Sequence, residues 1–457
     1  MIDIAQQSLA DLYARPPLDL PAEDVIGFDT ETHMMGVENI APPLVCMSLD
    51  SRLMEGPQVF AAADPDDALV SAIGVLLSGD DCFRVAHNAK FDLAVLARHV
   101  PTVLPRIFEM LELGLIDCTL VREKLLNLTE YGKLDYSSLP DGSKGKRISY
   151  SLSALVLDYL GVDLSMEKIG TETWRTNYQA LEDMPSDTWP SEALNYAAKD
   201  AMWPIKVREA QEVRRLLVIE QTGHDPFKTL AFRIRVDFAL HLMTCHGFAT
   251  DAEQKAQLEA ELAAELTPEK LDLLIKSKIL SPGKAAEPYK NRSQKHKEGC
   301  DGKDCDCPLK MKAGVKEKVS KKSLVAYVEK LAASRPDEFE IRYTDPSDRF
   351  PEGQVQVNAE WLDDHWHLDP LLEQYRHRAK LQKMVTTEMP RLNTKDEEGK
   401  DTGETSPVVH PNYDVLKETG RTSSYGGDIY PSLNVQNVDP RARGCIVPRS
   451  DRVLFSC

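Results

Sequence analysis

Four carboxylates and a tyrosine, carried on three short segments, are the residues of this chain best suited to chemistry. In Val25-Ile26-Gly27-Phe28-Asp29-Thr30-Glu31-Thr32, β-prone and small residues run into two acids spaced i and i+2. On an extended strand Asp29 and Glu31 therefore project from one face. Neighbouring carboxylates repel unless a cation lies between them, and magnesium is commonly held by one or two carboxylates together with substrate phosphate oxygens. The strand reads as half of a metal site. Two later segments can supply the rest: Ala86-His87-Asn88-Ala89-Lys90-Phe91-Asp92 and Tyr196-Ala197-Ala198-Lys199-Asp200. Helical i, i+4 spacing sets Tyr196 and Asp200 on one face, able to point into one cleft. Taken singly, each piece has an ordinary reading: a solvated strand end, a core phenylalanine, a chance helix pair.

Taken in order, the three segments resemble the exonuclease motifs of the DEDD superfamily, the proofreading domain of family A (polymerase I-like) DNA polymerases. That family shows Asp-x-Glu, then Asn with Phe-Asp shortly after, then Tyr-x-x-x-Asp. Asn195 stands where the histidine branch would place His, so Tyr196 assigns the chain to the tyrosine branch. The resemblance implies 3′-5′ hydrolysis of the terminal nucleotide of DNA with two Mg²⁺ or Mn²⁺ ions. By the family pattern Asp29 bridges both ions, Glu31 and Asp200 complete one site, Asp92 contributes to the other, and Tyr196 orients the water. Tyrosine, with an ordinary pKa near 10, is a poor base at neutral pH, so it positions and does not abstract a proton. Asn88 and Phe91 are implied to contact the substrate strand, and Phe91 with Met34 and Met35 could support unstacked bases. Asn88 is also placed to cap the helix that follows.

A second resemblance lies near the C-terminus. Thr419-Gly420-Arg421-Thr422-Ser423-Ser424, followed by Leu433-Asn434-Val435-Gln436-Asn437-Val438, looks like the start of a family A palm, departing from it at Asn434-Val435. It implies that Arg421, Gln436 and Asn437 lie along the DNA minor groove, where Gln and Asn can meet acceptors common to all base pairs. Tyr375-Arg376-His377-Arg378-Ala379-Lys380-Leu381 resembles the thumb and assigns Arg376 and Lys380 to the primer–template backbone; by itself it is a solvated cationic helix face. The family's first polymerase Asp, in an Asp-Tyr-Ser segment, would follow Cys457. The expected partners are thus a single-stranded 3′ end, primer–template duplex and a missing C-terminal polymerase piece, with no nucleotide addition by this chain alone. Two other readings are a non-catalytic primer–template-binding half of a split polymerase and a stand-alone DEDD-type nuclease.

The elements that must position these residues are α/β. The expected architecture is a ribonuclease H-like exonuclease domain with a mixed sheet and helices, then a mainly helical thumb, then a truncated palm. The expected divisions are a leader at 1–24, the exonuclease domain at 25–215, the thumb at 216–395 and the palm at 396–457. Strands are expected near 44–49, 58–61 and 83–87, and helices at 68–77, from 115 to about 128, after Ser151, and at 205–218, 227–242, 252–266, 358–366 and 370–386. The polar stretch 132–147 reads as a surface loop. No 18-residue apolar run and no secretory signal occur, which excludes a membrane span and points to the cytoplasm. Nine scattered cysteines fit reduced thiols.

The net charge of −18 argues at first against a nucleic-acid partner, but residues 276–322 hold 14 basic against 6 acidic side chains. An acidic body with one basic arm can still bind DNA. Within the arm, His296, Cys300, Cys305 and Cys307 could close a tetrahedral Zn²⁺ site, although the paired Cys-x-x-Cys knuckles are missing. A basic loop with free cysteines is the simpler reading.

Overall fold

The computed structural model describes residues 25–36, 39–138, 144–164, 174–283, 287–289, 310–312, 317–346, 349–396, 399–426 and 431–449. The expected leader, the His296, Cys300, Cys305 and Cys307 cluster and the last residues of the chain lie outside them. Contacts group the described residues into two compact units. One draws on Met1–Thr250, Arg391–Val438 and Ile446–Cys457, the other on Asp251–Pro390 and Asp439–Cys445.

In the first unit, strands β1 (Val25–Thr32), β2 (Leu44–Ser51), β3 (Gln58–Ala61), β4 (Phe83–Ala86) and β5 (Ile116–Cys118) form one sheet in the order β3-β2-β1-β4-β5. β1 pairs antiparallel with β2 and parallel with β4, so the sheet is mixed, as expected. Helices α1 (Ala68–Leu76), α2 (Lys90–His99), α3 (Leu104–Glu112), α4 (Thr119–Tyr131), α5 (Leu152–Leu160), α6 (Ser191–Thr222) and α7 (Leu230–His246) accompany it. Strand alternation decides what each side of β1 does. Phe28 and Thr30 are buried, and Phe28 joins Met47, Leu93, Leu96 and Phe238 in the main core. Asp29 and Glu31 occupy the other face, half-buried.

Helix α6 lies against that other face, and Gly27 permits it. A Cβ built on Gly27 would sit 2.1 Å from the carbonyl oxygen of Ala201 and 2.8 Å from Ile205 Cγ1. Only a residue without a side chain admits a helix backbone this close to a strand. The helix starts after Pro190 and runs 32 residues to Gly223, whose φ of 72° closes it in the left-handed conformation.

Several expectations change. The helix expected at 205–218 is part of the longer α6, which runs through Pro204. Its ring forfeits the bond to the carbonyl of Asp200, and burial of the helix on both sides of that point compensates. Residues 116–118 are strand before helix, with Ile116 opposite Arg84 and Cys118 opposite Ala86. In the expected loop at 132–147, Tyr136–Ser138 pairs antiparallel with Lys144–Arg147. Backbone pairing needs no apolar pattern, and so polar composition hid it. The Ser151 cap is present, its side chain accepting from Ala154 N at 3.2 Å.

In the second unit, helices α8 (Ala252–Glu265), α9 (Asp272–Lys276), α10 (Lys321–Ser334), α11 (Ala359–His365) and α12 (Pro370–Lys383) surround a core that includes Leu274, Val328, Trp361 and Leu372. Asp251, Asn358 and Asp369 each cap a helix by accepting backbone N–H groups, so the expected starts near 252 and 370 hold. No described helix is long and apolar enough to cross a membrane.

Candidate active site

On β1, Asp29 stands opposite Ser48 and Glu31 opposite Cys46 of β2, so the strand pair forms the floor. From α6, Asp200 completes the group: one carboxylate oxygen from each of Asp29, Glu31 and Asp200 lies within 4.8 Å of the other two. Hard oxygen donors at this separation suit a divalent cation of the magnesium type, and mutual repulsion makes such a cluster costly without one. Tyr196 lies one helical turn before Asp200 on α6. Burial, then Asp200, Glu31 and Asp29, push the Tyr196 hydroxyl well above its ordinary value. It stays protonated at neutral pH, able to donate a hydrogen bond but not to act as a base.

Asp92, in the first turn of α2, is buried. Its Oδ1 accepts from Thr30 N at 3.1 Å and from Thr30 Oγ1 at 2.7 Å. Burial raises its pKa from 3.8 to about 7, the Thr30 bonds act in the opposite direction, and Asp200 adds to the rise. Thr30 thus orients the fourth acid. Sequence reading passed over it because it lies between Asp29 and Glu31 on the buried face, where a threonine looks like filler.

Asn88 does not cap α2. The N-cap is Ala89, with no side-chain cap bond, and Asn88 takes the left-handed conformation at φ 64°. Asparagine tolerates that region, so its role here is to turn the chain out of β4 into α2. Phe91 follows, half-buried against the main core with its ring 6.3 Å from His241. Met34 and Met35, just past the acidic strand, are exposed. Beneath Glu31, Cys46 is fully buried; burial, Glu31 and Asp29 hold its thiol well above the ordinary range, so it remains neutral.

An aromatic group borders the acids. The Tyr178 ring lies 6.2 Å from Tyr196, 5.9 Å from Trp189 and 6.0 Å from Trp174. Its hydroxyl donates to the carbonyl of Ala193 at 2.7 Å, tying the group to the first turn of α6. Nothing in the spacing of these residues had marked them, because the tie is tertiary.

The two palm-like segments meet within the first unit. Ser424 Oγ donates to Asn434 Oδ1 at 2.6 Å and accepts from Gln436 N at 3.0 Å. Gln436 and Asn437 end up exposed on a short 3₁₀ turn, and Arg421 is exposed after Gly420, which needs its φ of 75° to turn the chain. In the second unit, Arg376 on α12 donates from Nε to Asp363 at 2.6 Å and covers the Trp366 ring at 4.8 Å. Lys380, one turn on, is exposed.

Residues 5–211 match the family model of the DNA polymerase A type described as 3'-5' exonuclease. Among solved structures, the chain is similar to the POL domain of Pol1 from M. smegmatis in complex with DNA primer-template and dNTP, at 14% identity and TM-score 0.46, over 92% of this chain and 54% of that one. It is also similar to the catalytic core of RRP6 from Trypanosoma brucei, at 16% identity and TM-score 0.29, over 47% of this chain and 46% of that one. The chain spans about half the length of each. No curated protein matches.

Proposed function

We propose that residues 5–211, which match the DNA polymerase A family model described as 3'-5' exonuclease, remove the 3′-terminal nucleotide of single-stranded DNA, and that they proofread for a polymerase to which residues 216–457 contribute thumb and palm. The observation that carries the reading is the trio Asp29, Glu31 and Asp200 within 4.8 Å, with Tyr196 one turn away.

Mg²⁺ or Mn²⁺ fits the donor set, which is all carboxylate oxygen. Asp29, Glu31 and Asp200 would hold one ion, and Asp92 with Asp29 a second; bound there, the ions would supply water activation and charge stabilisation of the leaving 3′ oxygen. The chain's own groups do the rest. Tyr196, kept protonated, donates its hydrogen bond to the attacking water and sets its direction. Thr30 holds Oδ1 of Asp92 and so limits how the carboxylate can turn. For the remainder, Arg421, Gln436, Asn437, Arg376 and Lys380 contact primer–template duplex.

The test is release of 5′-mononucleotides from a 3′-labelled oligonucleotide, with Mg²⁺ and with EDTA. Asp29→Ala should lower the rate by about 10³-fold or more, because a metal site is worth several kcal/mol of barrier. A variant as fast as the parent chain would sink the mechanism.

A further inference from the structure

We propose that Arg175 binds the scissile phosphate of the substrate at the rim of the acidic cleft. The proposal rests on the nuclease reading for its substrate and names the cation that reading lacks. Three clustered carboxylates present a polyanionic strand with like charge. A cation beside the reacting phosphate offsets that repulsion and fixes the strand's position.

The turn that carries Arg175 packs beside Tyr196. Arg175 is the middle residue of this 3₁₀ turn, Trp174–Thr176, with its side chain exposed. The turn is anchored through Trp174, whose ring is 6.0 Å from Tyr178, which is in turn 6.2 Å from Tyr196 and hydrogen-bonded to Ala193. Trp174 and Tyr196 pack against the same buried cluster. Arg175 thus leaves a rigid base two rings from the water-positioning tyrosine. The electrostatics agree: Asp200, Glu31 and Asp29 act on the Tyr196 hydroxyl from one sign, and Arg175 acts on it from the other. An arginine suits the task because its planar fork meets two phosphate oxygens at once and stays charged at any working pH.

The experiment uses the full chain and two small probes that carry one phosphate each, so that other DNA-binding surfaces do not contribute. Thymidine 5′-monophosphate is titrated calorimetrically in Ca²⁺, and hydrolysis of its p-nitrophenyl ester is followed in Mg²⁺. Arg175→Ala should raise the nucleotide dissociation constant and the ester KM by about tenfold or more, the loss of a charged hydrogen bond, with a smaller change in kcat. On single-stranded DNA the salt slope of kcat/KM should fall by about 0.7. Arg175→Lys should recover much of the affinity, and thermal melting should be unchanged in both. Unaltered nucleotide affinity in Arg175→Ala overturns the proposal. So does a loss accompanied by lower melting that lysine fails to rescue, since that is a folding defect. A parent chain that binds the nucleotide through Arg175 yet hydrolyses neither ester nor DNA leaves the phosphate site standing and removes the nuclease reading instead.

Discussion

Asp92 and Asp117 are two buried aspartates of the same sheet-and-helix unit, and their surroundings could hardly differ more. Asp117, on β5, accepts from Arg122 at 2.6 Å and from Arg208 at 2.8 Å. Burial would raise it, but the two guanidinium groups outweigh burial and hold it below its usual value. Asp92 accepts from the N–H and hydroxyl of Thr30 and from its own backbone amide, is raised further by Asp200, and rises to about 7. One acid is matched by the protein itself and serves the fold. On the proposed mechanism the other is matched by a bound cation, a contrast that would separate a functional carboxylate from a structural one at equal burial.

Exchanging each for asparagine should therefore produce opposite phenotypes. Asp92→Asn is expected to cut nuclease activity by about 10³-fold while raising stability near pH 6, since there the folded carboxyl holds a proton that the unfolded chain has released and asparagine avoids that cost. Asp117→Asn should cost about 3–5 kcal/mol in chemical unfolding by stranding buried arginines, with any activity loss tracking the folded fraction. Similar unfolding midpoints for the two variants would erase the distinction.

Gly27→Ala tests what brings α6 to the acids. Its methyl meets a backbone carbonyl at 2.1 Å, so the helix must move. We expect about 1–3 kcal/mol of destabilisation and, because displacements near 1 Å misplace reacting groups, an activity loss of about 10²-fold. Parent-level activity with an intact fold would mean that α6 does not set the cleft.

The same pair gives opposite pH slopes in the metal-free protein. Asp92, raised from 3.8 to about 7, contributes stability that is present below 3.8 and lost as pH climbs through 7. Asp117, lowered from 3.8, contributes stability present above 3.8 and lost as pH falls through its depressed value. Denaturation curves between pH 3 and 8 should show each slope vanish in the matching asparagine variant. Mn²⁺ affinity should also rise between pH 6 and 8, by up to about tenfold per unit as Asp92 yields its proton; a flat profile would contradict this assignment.

Thr30→Val is the mildest change. Losing one hydroxyl donor to a buried carboxylate should cost about 1 kcal/mol and move the alkaline-rising limb of the activity profile to higher pH. An unmoved limb would show that the Thr30 hydroxyl does not tune Asp92.

Much of the site was legible in the sequence because its periodicities are local. The i, i+2 spacing of Asp29 and Glu31 and the i, i+4 spacing of Tyr196 and Asp200 declare a shared face before any packing is known. Gly27 and Tyr178 were not legible, since a close approach and a ring contact exist only once α6 has docked. Asn88 misled for a physical reason: the residue types that cap helices are also those that tolerate left-handed backbone, and sequence alone does not choose between the two. The full length of α6 was not legible either, since propensity disfavours a proline inside a helix and only tertiary burial carries the helix through Pro204.

Helix α6 carries Tyr196 and Asp200 near one end and Arg208, Gln211 and Arg214 farther along, the latter fastened to Asp117, Thr119 and Glu123. Because each residue turns a helix by about 100°, those distant fastenings act as an angular index. They specify which side of the cylinder looks at β1, much as a keyway fixes a shaft. A register slip of one residue in that segment would swing Asp200 a quarter-turn or more away from Asp29 without altering a single residue of the cleft. The geometry of the carboxylate cluster is thus stored partly as a rotation, held by side chains two turns and more farther along the helix.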